Sequence, residues 1–148
     1  VGNVSSYYGH FNHDIIDKYE KRPSLHNIDL LDFKTSKPYD AFLAISTFEH
    51  IGWDEPDKKP EKILDAIYHV YNLVSHKNHV LITCPLGYNN FLDTCIRQDR
   101  LPFQKMIFMK RLNGDNHWRE TTCKDALGRI YGSRFIGANS MMIGLGLK

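Results

Sequence analysis

The chain has 148 residues, 42% hydrophobic and 24% charged, enough for one compact domain (residues 1–148) with a filled core and inconsistent with intrinsic disorder. Its 19 Lys and Arg residues balance 17 Asp and Glu to leave a formal charge of +2, which argues against a nucleic-acid binder relying on a lopsided basic face. No apolar run approaches the roughly 20 residues of a membrane span, and the three cysteines, Cys84, Cys95 and Cys123, suit reduced thiols in a cytoplasmic compartment and supply no zinc ligand set.

Val1-Gly2-Asn3-Val4 reads as a chain entered midway through its first strand, with neither initiator Met nor signal peptide. His13-Asp14-Ile15-Ile16-Asp17 and Leu25-His26-Asn27-Ile28-Asp29 are short strand candidates, each ending in a carboxylate. Residues 41–45, Ala-Phe-Leu-Ala-Ile, form a continuous apolar run without alternation, as expected of a parallel strand covered on both faces. A turn-rich stretch follows at residues 52–57. Ile63, Leu64, Ile67, Val70, Tyr71 and Val74 then mark one apolar stripe at the helical period, with Pro60 suited to the first turn. Lys77-Asn78 predicts a turn, and residues 80–84 predict another buried strand, stopped by Pro85. Strand, helix and strand at this spacing make a βαβ crossover. Beyond it, residues 106–109 predict a strand, Asn113-Gly114-Asp115 a turn, and residues 140–147 a closing strand. In that last strand Gly144 and Gly146 predict close approach of neighbouring backbone. The fold class is α/β with a mostly parallel sheet.

Ligands of open parallel sheets bind beyond the carboxyl ends of the strands. Here those ends carry Asp17, Asp29 and Ser46-Thr47-Phe48-Glu49-His50. A carboxylate after one strand can accept both hydroxyls of a ribose, one after the next strand the exocyclic amine of adenine, and a glycine lets backbone approach the ligand. The ordered set Val1-Gly2-Asn3-Val4, Ile15-Ile16-Asp17, Asn27-Ile28-Asp29-Leu30-Leu31-Asp32-Phe33, residues 39–51 and residues 79–88 resembles the class I S-adenosylmethionine-dependent methyltransferases. Residues 13–85 are its most specific part. The resemblance implies a Rossmann-like sheet, mostly parallel, with helices on both faces and an antiparallel last strand. It implies S-adenosyl-L-methionine as cofactor, with Gly2 beside the methionine moiety, Asp17 on the ribose and Glu20 as its fallback. Asp29 and the Leu30 N–H would take the adenine, and Ser46 and Thr47 would lie near the sulfonium. His50 and Trp53 would stand on the substrate rim. Two departures from the family pattern are present: a single glycine in the loop, and a short span between Gly2 and Asp17.

Each of these residues also has a plainer reading. Asp17 and Asp29 can be turn carboxylates, with Asp32 sharing the second role and Asp40 capping a strand. Glu49 can favour a helix N-terminus through the dipole while His50 packs there. His10 and His13 lack the carboxylate-flanked spacing of a zinc helix, so no metal is expected. Tyr7, Tyr8 and Tyr88 can line a pocket or fill a core. Lys105, Lys110 and Arg111 read as a solvated basic face.

The resulting expectation is methyl transfer from S-adenosylmethionine to a polar small molecule, such as a sugar or nucleotide-linked metabolite. His50 would be the general base if one is needed. Tyr88, Asn89, Asn90, Arg97, Arg111 and Trp118, from residues 86–135, would line the acceptor pocket. The alternatives are a methyltransferase-like scaffold without catalysis and a nicotinamide-dependent oxidoreductase, the latter disfavoured by the missing G-x-G-x-x-G. Oligomeric state is not readable from these residues.

Overall fold

The computed structural model describes residues 13–23 and 25–148, and these group into two compact units, one up to Ser36 and one spanning Lys37–Lys148. In the first, the two expected strands reduce to a single parallel bridge between Ile16 and His26. Asp17 N–H donates to the His26 carbonyl (3.1 Å) and His26 N–H to the Ile15 carbonyl (2.8 Å). Each apolar stretch is only a few residues long before Lys, Asn or Asp intervenes, too short to extend a ladder. Among the described residues of this unit, Ile15 and Phe33 are the buried apolar ones, and the His26 ring lies 5.1 Å from Phe33. A one-turn 3-10 helix, Leu30–Asp32, follows.

The second unit holds a five-stranded sheet. Its strands are β1 (Tyr39–Ile45), β2 (Val74–Pro85), β3 (Lys105–Arg111), β4 (Trp118–Thr121) and β5 (Ser140–Leu147). Their spatial order is β1-β2-β5-β3-β4. The helices are α1 (Lys62–Leu73), α2 (Asn90–Arg97) and α3 (Cys123–Leu127). Helix α1 forms the crossover between β1 and β2, which pair in parallel. β5 is antiparallel to both β2 and β3, and β4 is antiparallel to β3.

The expectation of a Rossmann-like, mostly parallel sheet covered by helices on both faces is therefore overturned. Among the described residues one neighbouring pair is parallel and three are antiparallel. The reason lies in the connections. Helix α1 carries the chain back across the sheet between β1 and β2, whereas the link from β3 to β4 is a short Asn-Gly-containing turn, residues 112–117, that reverses direction.

Helix contacts also favour one sheet face. Val80, Ile82, Cys84, Met142 and Phe108 are buried and pair in register across β2, β5 and β3. Tyr71 of α1 stands over this face: a Cβ built at Gly146 would lie 1.9 Å from its hydroxyl. Ser140 donates from the same face to the Ala126 carbonyl of α3 (2.8 Å). On the opposite face Leu43 and Ile45 are exposed, so β1 is buried on one side rather than two. Gly144 and Gly146 make room for the rings of Phe103 and Tyr71, not for neighbouring backbone. The Lys77-Asn78 turn is an irregularity inside β2: Tyr39 opposes Val74 while Ala41 opposes His79, and Lys77 takes φ 68°.

Candidate functional site

The carboxyl ends of the parallel pair carry a polar cluster. After β1, Ser46 turns the chain with φ 48°, a conformation uncommon outside glycine. Its N–H donates to the Thr83 carbonyl (2.9 Å) and hydroxyl (3.2 Å) of β2. The Thr47 hydroxyl donates back to the Ile45 carbonyl (3.2 Å). Phe48 is buried and meets Phe42 edge-on at 6.1 Å, which anchors the one-turn 3-10 helix Phe48–His50. That anchoring carries Glu49 inside, 1% exposed, while the His50 side chain stays 33% exposed. Trp53 and Asp54 N–H groups then close on the His50 carbonyl (3.0 and 3.1 Å). Gly52, at φ 68°, admits no side chain, since a Cβ would lie 2.0 Å from the Lys59 carbonyl oxygen. This closure holds Asp54 one turn beyond His50.

The second contribution comes from the exit of β2. Gly87 (φ 74°) packs where a Cβ would meet the Arg129 carbonyl at 2.4 Å, and its N–H donates to Asp93 Oδ2 (3.0 Å). Asn89 is buried and caps α2: its Oδ1 accepts from Phe91 and Leu92 N–H (3.1 Å each), and its Nδ2 donates to the Glu49 carbonyl (3.0 Å). The loop after β1 is thereby tied to the helix after β2, and Tyr88 is set beside His50.

In the cluster so formed, the His50 imidazole lies between two carboxyl groups. Nδ1 pairs with Asp54 Oδ2, and Nε2 lies 3.4 Å from Glu49 Oε1. The Tyr88 hydroxyl donates to the same Asp54 oxygen (2.6 Å). Tyr88 is edge-on to His50 (ring centroids 5.1 Å) and to Tyr131 (5.0 Å). Burial raises the Glu49 carboxyl to about 7, against the lowering effects of its own backbone N–H and of His50. Burial also raises Asp54, but hydrogen bonds from Tyr88 and His50 and the charges of His50 and Lys58 outweigh it and hold this carboxyl below its ordinary value. The hydrogen bond to Asp54, with burial second, pushes the Tyr88 phenol up to about 12. An ionised Asp54 on Nδ1 fixes the imidazole proton there and leaves Nε2, which faces Glu49 Oε1, as the basic nitrogen.

The other expected site residues are placed as follows. Ser46, Thr47, His50, Trp53 and Tyr88 all lie in the second unit, with Trp53 under the Lys58 ammonium at 4.4 Å. Asp17 and Asp29 lie in the first unit. Asp17 Oδ1 accepts from the Tyr19 and Glu20 N–H groups (2.8 Å each). Asp29 caps the Leu30–Asp32 turn through Leu31 N–H (3.1 Å), and its Oδ2 pairs with Lys18 (2.9 Å). Both carboxylates thus perform the turn roles of their plainer reading. Gly2, Tyr7, Tyr8 and His10 lie outside the described residues.

Several residues expected to line an acceptor pocket have other tasks. Asn89 is the cap described above. Arg97 donates to the Leu127 carbonyl (3.3 Å). Arg111 ties down the carbonyls of Asn113, Gly114 and Ile136 (2.8–3.0 Å). Lys110 pairs with Asp125 (2.9 Å), so the basic face of Lys110 and Arg111 is largely consumed by internal bonds. A depression of about 560 Å³ lined by Thr122, Lys124, Asp125, Gly128 and Arg129 has its carboxylate engaged by Lys110, Arg129 and Thr121.

Sequence reading missed Asp54 and Tyr131. The signal for Asp54 was a carboxylate four residues after His50. Tyr131, more than 40 positions away, left none. Among the described residues no three His, Cys, Asp or Glu side chains gather as a metal site, and no helix is long and apolar enough to cross a membrane. No protein-family model, curated protein or solved structure matches the chain.

Proposed function

We propose that this chain catalyses methyl transfer from S-adenosylmethionine to a polar small molecule, with His50 removing the acceptor's proton. The observation that carries the reading is the half-exposed His50 imidazole held at the carboxyl end of the parallel β1–β2 pair by Asp54 on Nδ1. The run of residues 13–85 that resembles the methyltransferases supplies the choice of cofactor. S-adenosylmethionine, when bound, would supply a charge-activated methyl group: the acceptor's lone pair would take the methyl, the C–S electrons would return to sulfur, and His50 would take the acceptor's proton. The leaving group is already activated by its charge, so the protein's part is alignment, exclusion of water and removal of one proton. Ser46 and Thr47 stand next to this position along the chain and are assigned to the sulfonium end.

The test is transfer of a trideuteromethyl group from labelled cofactor to a panel of sugars and nucleotide-linked metabolites, followed by mass spectrometry. The reading predicts incorporation that falls about 10²- to 10⁴-fold in His50→Gln, the usual worth of a general base, with cofactor affinity near that of the parent. Equal rates in parent and variant would remove His50 from the chemistry. Collapsed cofactor affinity in the variant would make it a structural residue.

A further inference from the structure

Glu49 is the least expected member of the cluster. It is 1% exposed, its Oε2 has no hydrogen-bond partner among the described residues, and yet it is an ionisable group. The groups around it are nearly all acids. Its own turn contributes His50 and, beyond it, Asp54. The end of β2 contributes the buried Cys84 thiol, which also feels Asp93 of α2. The following loop contributes Tyr88. Among the described residues the sole ion-pair partner of Glu49 is the His50 ring.

We propose that Glu49 and His50 share a proton across the Oε1–Nε2 contact, so that the buried carboxyl sets how readily His50 accepts a proton from the acceptor. Glu49 is a positioning residue here: it acts through the imidazole, its Oε1 lying 3.4 Å from the Nε2 that would receive the acceptor's proton. When Glu49 is protonated, its O–H can donate to Nε2 and occupies the lone pair that an acceptor's proton would need, so the ionised Glu49 is the form that leaves Nε2 free as a base. When Glu49 is ionised, a protonated His50 lies between two carboxylates and is stabilised as imidazolium. A buried carboxylate with no other cation has no alternative partner for its charge, which couples the two titrations. The catalytic consequence rests on the methyltransferase reading; the shared proton does not.

The experiment is a carbon-13 and nitrogen-15 NMR titration of the whole chain, following the Glu49 carboxyl carbon and the His50 ring nitrogens. In the parent the two groups are expected to move together over a common pH range. In Glu49→Gln the His50 ring-nitrogen signals lose that common step, as removal of a coupled titrating neighbour requires. In His50→Gln the Glu49 midpoint rises, because the lowering effect of the imidazole is lost. Glu49 titrating alone in the ordinary carboxylate range, indifferent to His50→Gln, would overturn the proposal. Because neither variant removes apolar volume, and each reports on the other's partner, a failure of one to fold leaves the second to decide. If coupling is seen but labelled methyl is never transferred, the shared proton stands and the methyltransferase reading falls.

Discussion

Glu49 carries a cost that depends on pH, and the sign follows from its environment. Its carboxyl titrates near 4.5 when exposed and near 7 when folded. Below pH 4.5 it is neutral in both states and costs nothing electrostatically. Between 4.5 and 7 the unfolded chain ionises it first, so stability falls as pH rises. Above 7 the penalty is complete, on the order of 3 kcal/mol at about 1.4 kcal/mol per unit. Glu49→Gln should therefore gain about 1–3 kcal/mol over the parent at pH 8 and little at pH 4, read from urea unfolding at both values. An equal difference at both would mean that the carboxyl is not charged inside the fold. His50 was identifiable from its dipeptide with Glu49 just past an apolar strand. Its partner Asp54 offered only its four-residue spacing from His50, because the Gly52 closure that brings it round depends on contacts with Lys59. The candidate ligands Asp17 and Asp29 were identifiable as strand-end carboxylates, and the same short-range geometry turns them to the backbone N–H groups of residues just after them, Tyr19 and Glu20 for Asp17 and Leu31 for Asp29.

The elements that could be recognised were those with long apolar patterns. Helix α1 shows its stripe through Ile63, Ile67 and Val70, all fully buried, and β5 runs over the expected residues 140–147. Helices α2 and α3 went unread because they are 8 and 5 residues long, too short for periodicity to stand out. Their capping chemistry was the better signal: Asn89 before α2 and Thr122 before α3 each accept from backbone N–H groups within the first turn. Asn89 has the larger consequence, since its amide also holds the Glu49 carbonyl. Asn89→Ala leaves two helix N–H groups and one buried carbonyl without their partner. It is expected to cost about 2–4 kcal/mol, the worth of a cap plus a buried unpaired group. The accompanying sign should be faster amide exchange in both α2 and the Phe48–His50 turn. Exchange confined to α2 would show that the tie between the two loops is unimportant.

Across the second unit, the sequence conveyed an α/β composition and one βαβ crossover, but not the strand directions that follow. An apolar run such as residues 41–45 looks the same whether its strand is covered on two faces or one. Register and neighbour identity decide that, and they are set by distant pairings such as β2 with β5. Of the three antiparallel neighbours of the sheet, β3 and β4 are joined by a local turn, while the other two are pairings of strands distant in sequence. What this arrangement leaves at the end of β1 and β2 is a histidine fixed by one carboxylate and backed by another, the chemical basis of the proposed methyl transfer. Calorimetric titration of the whole chain with S-adenosylmethionine tests that account most directly. It predicts saturable binding at one site per chain, retained in His50→Gln. Absence of any heat of binding to the parent, with the chain shown to be folded in the same sample, would contradict it.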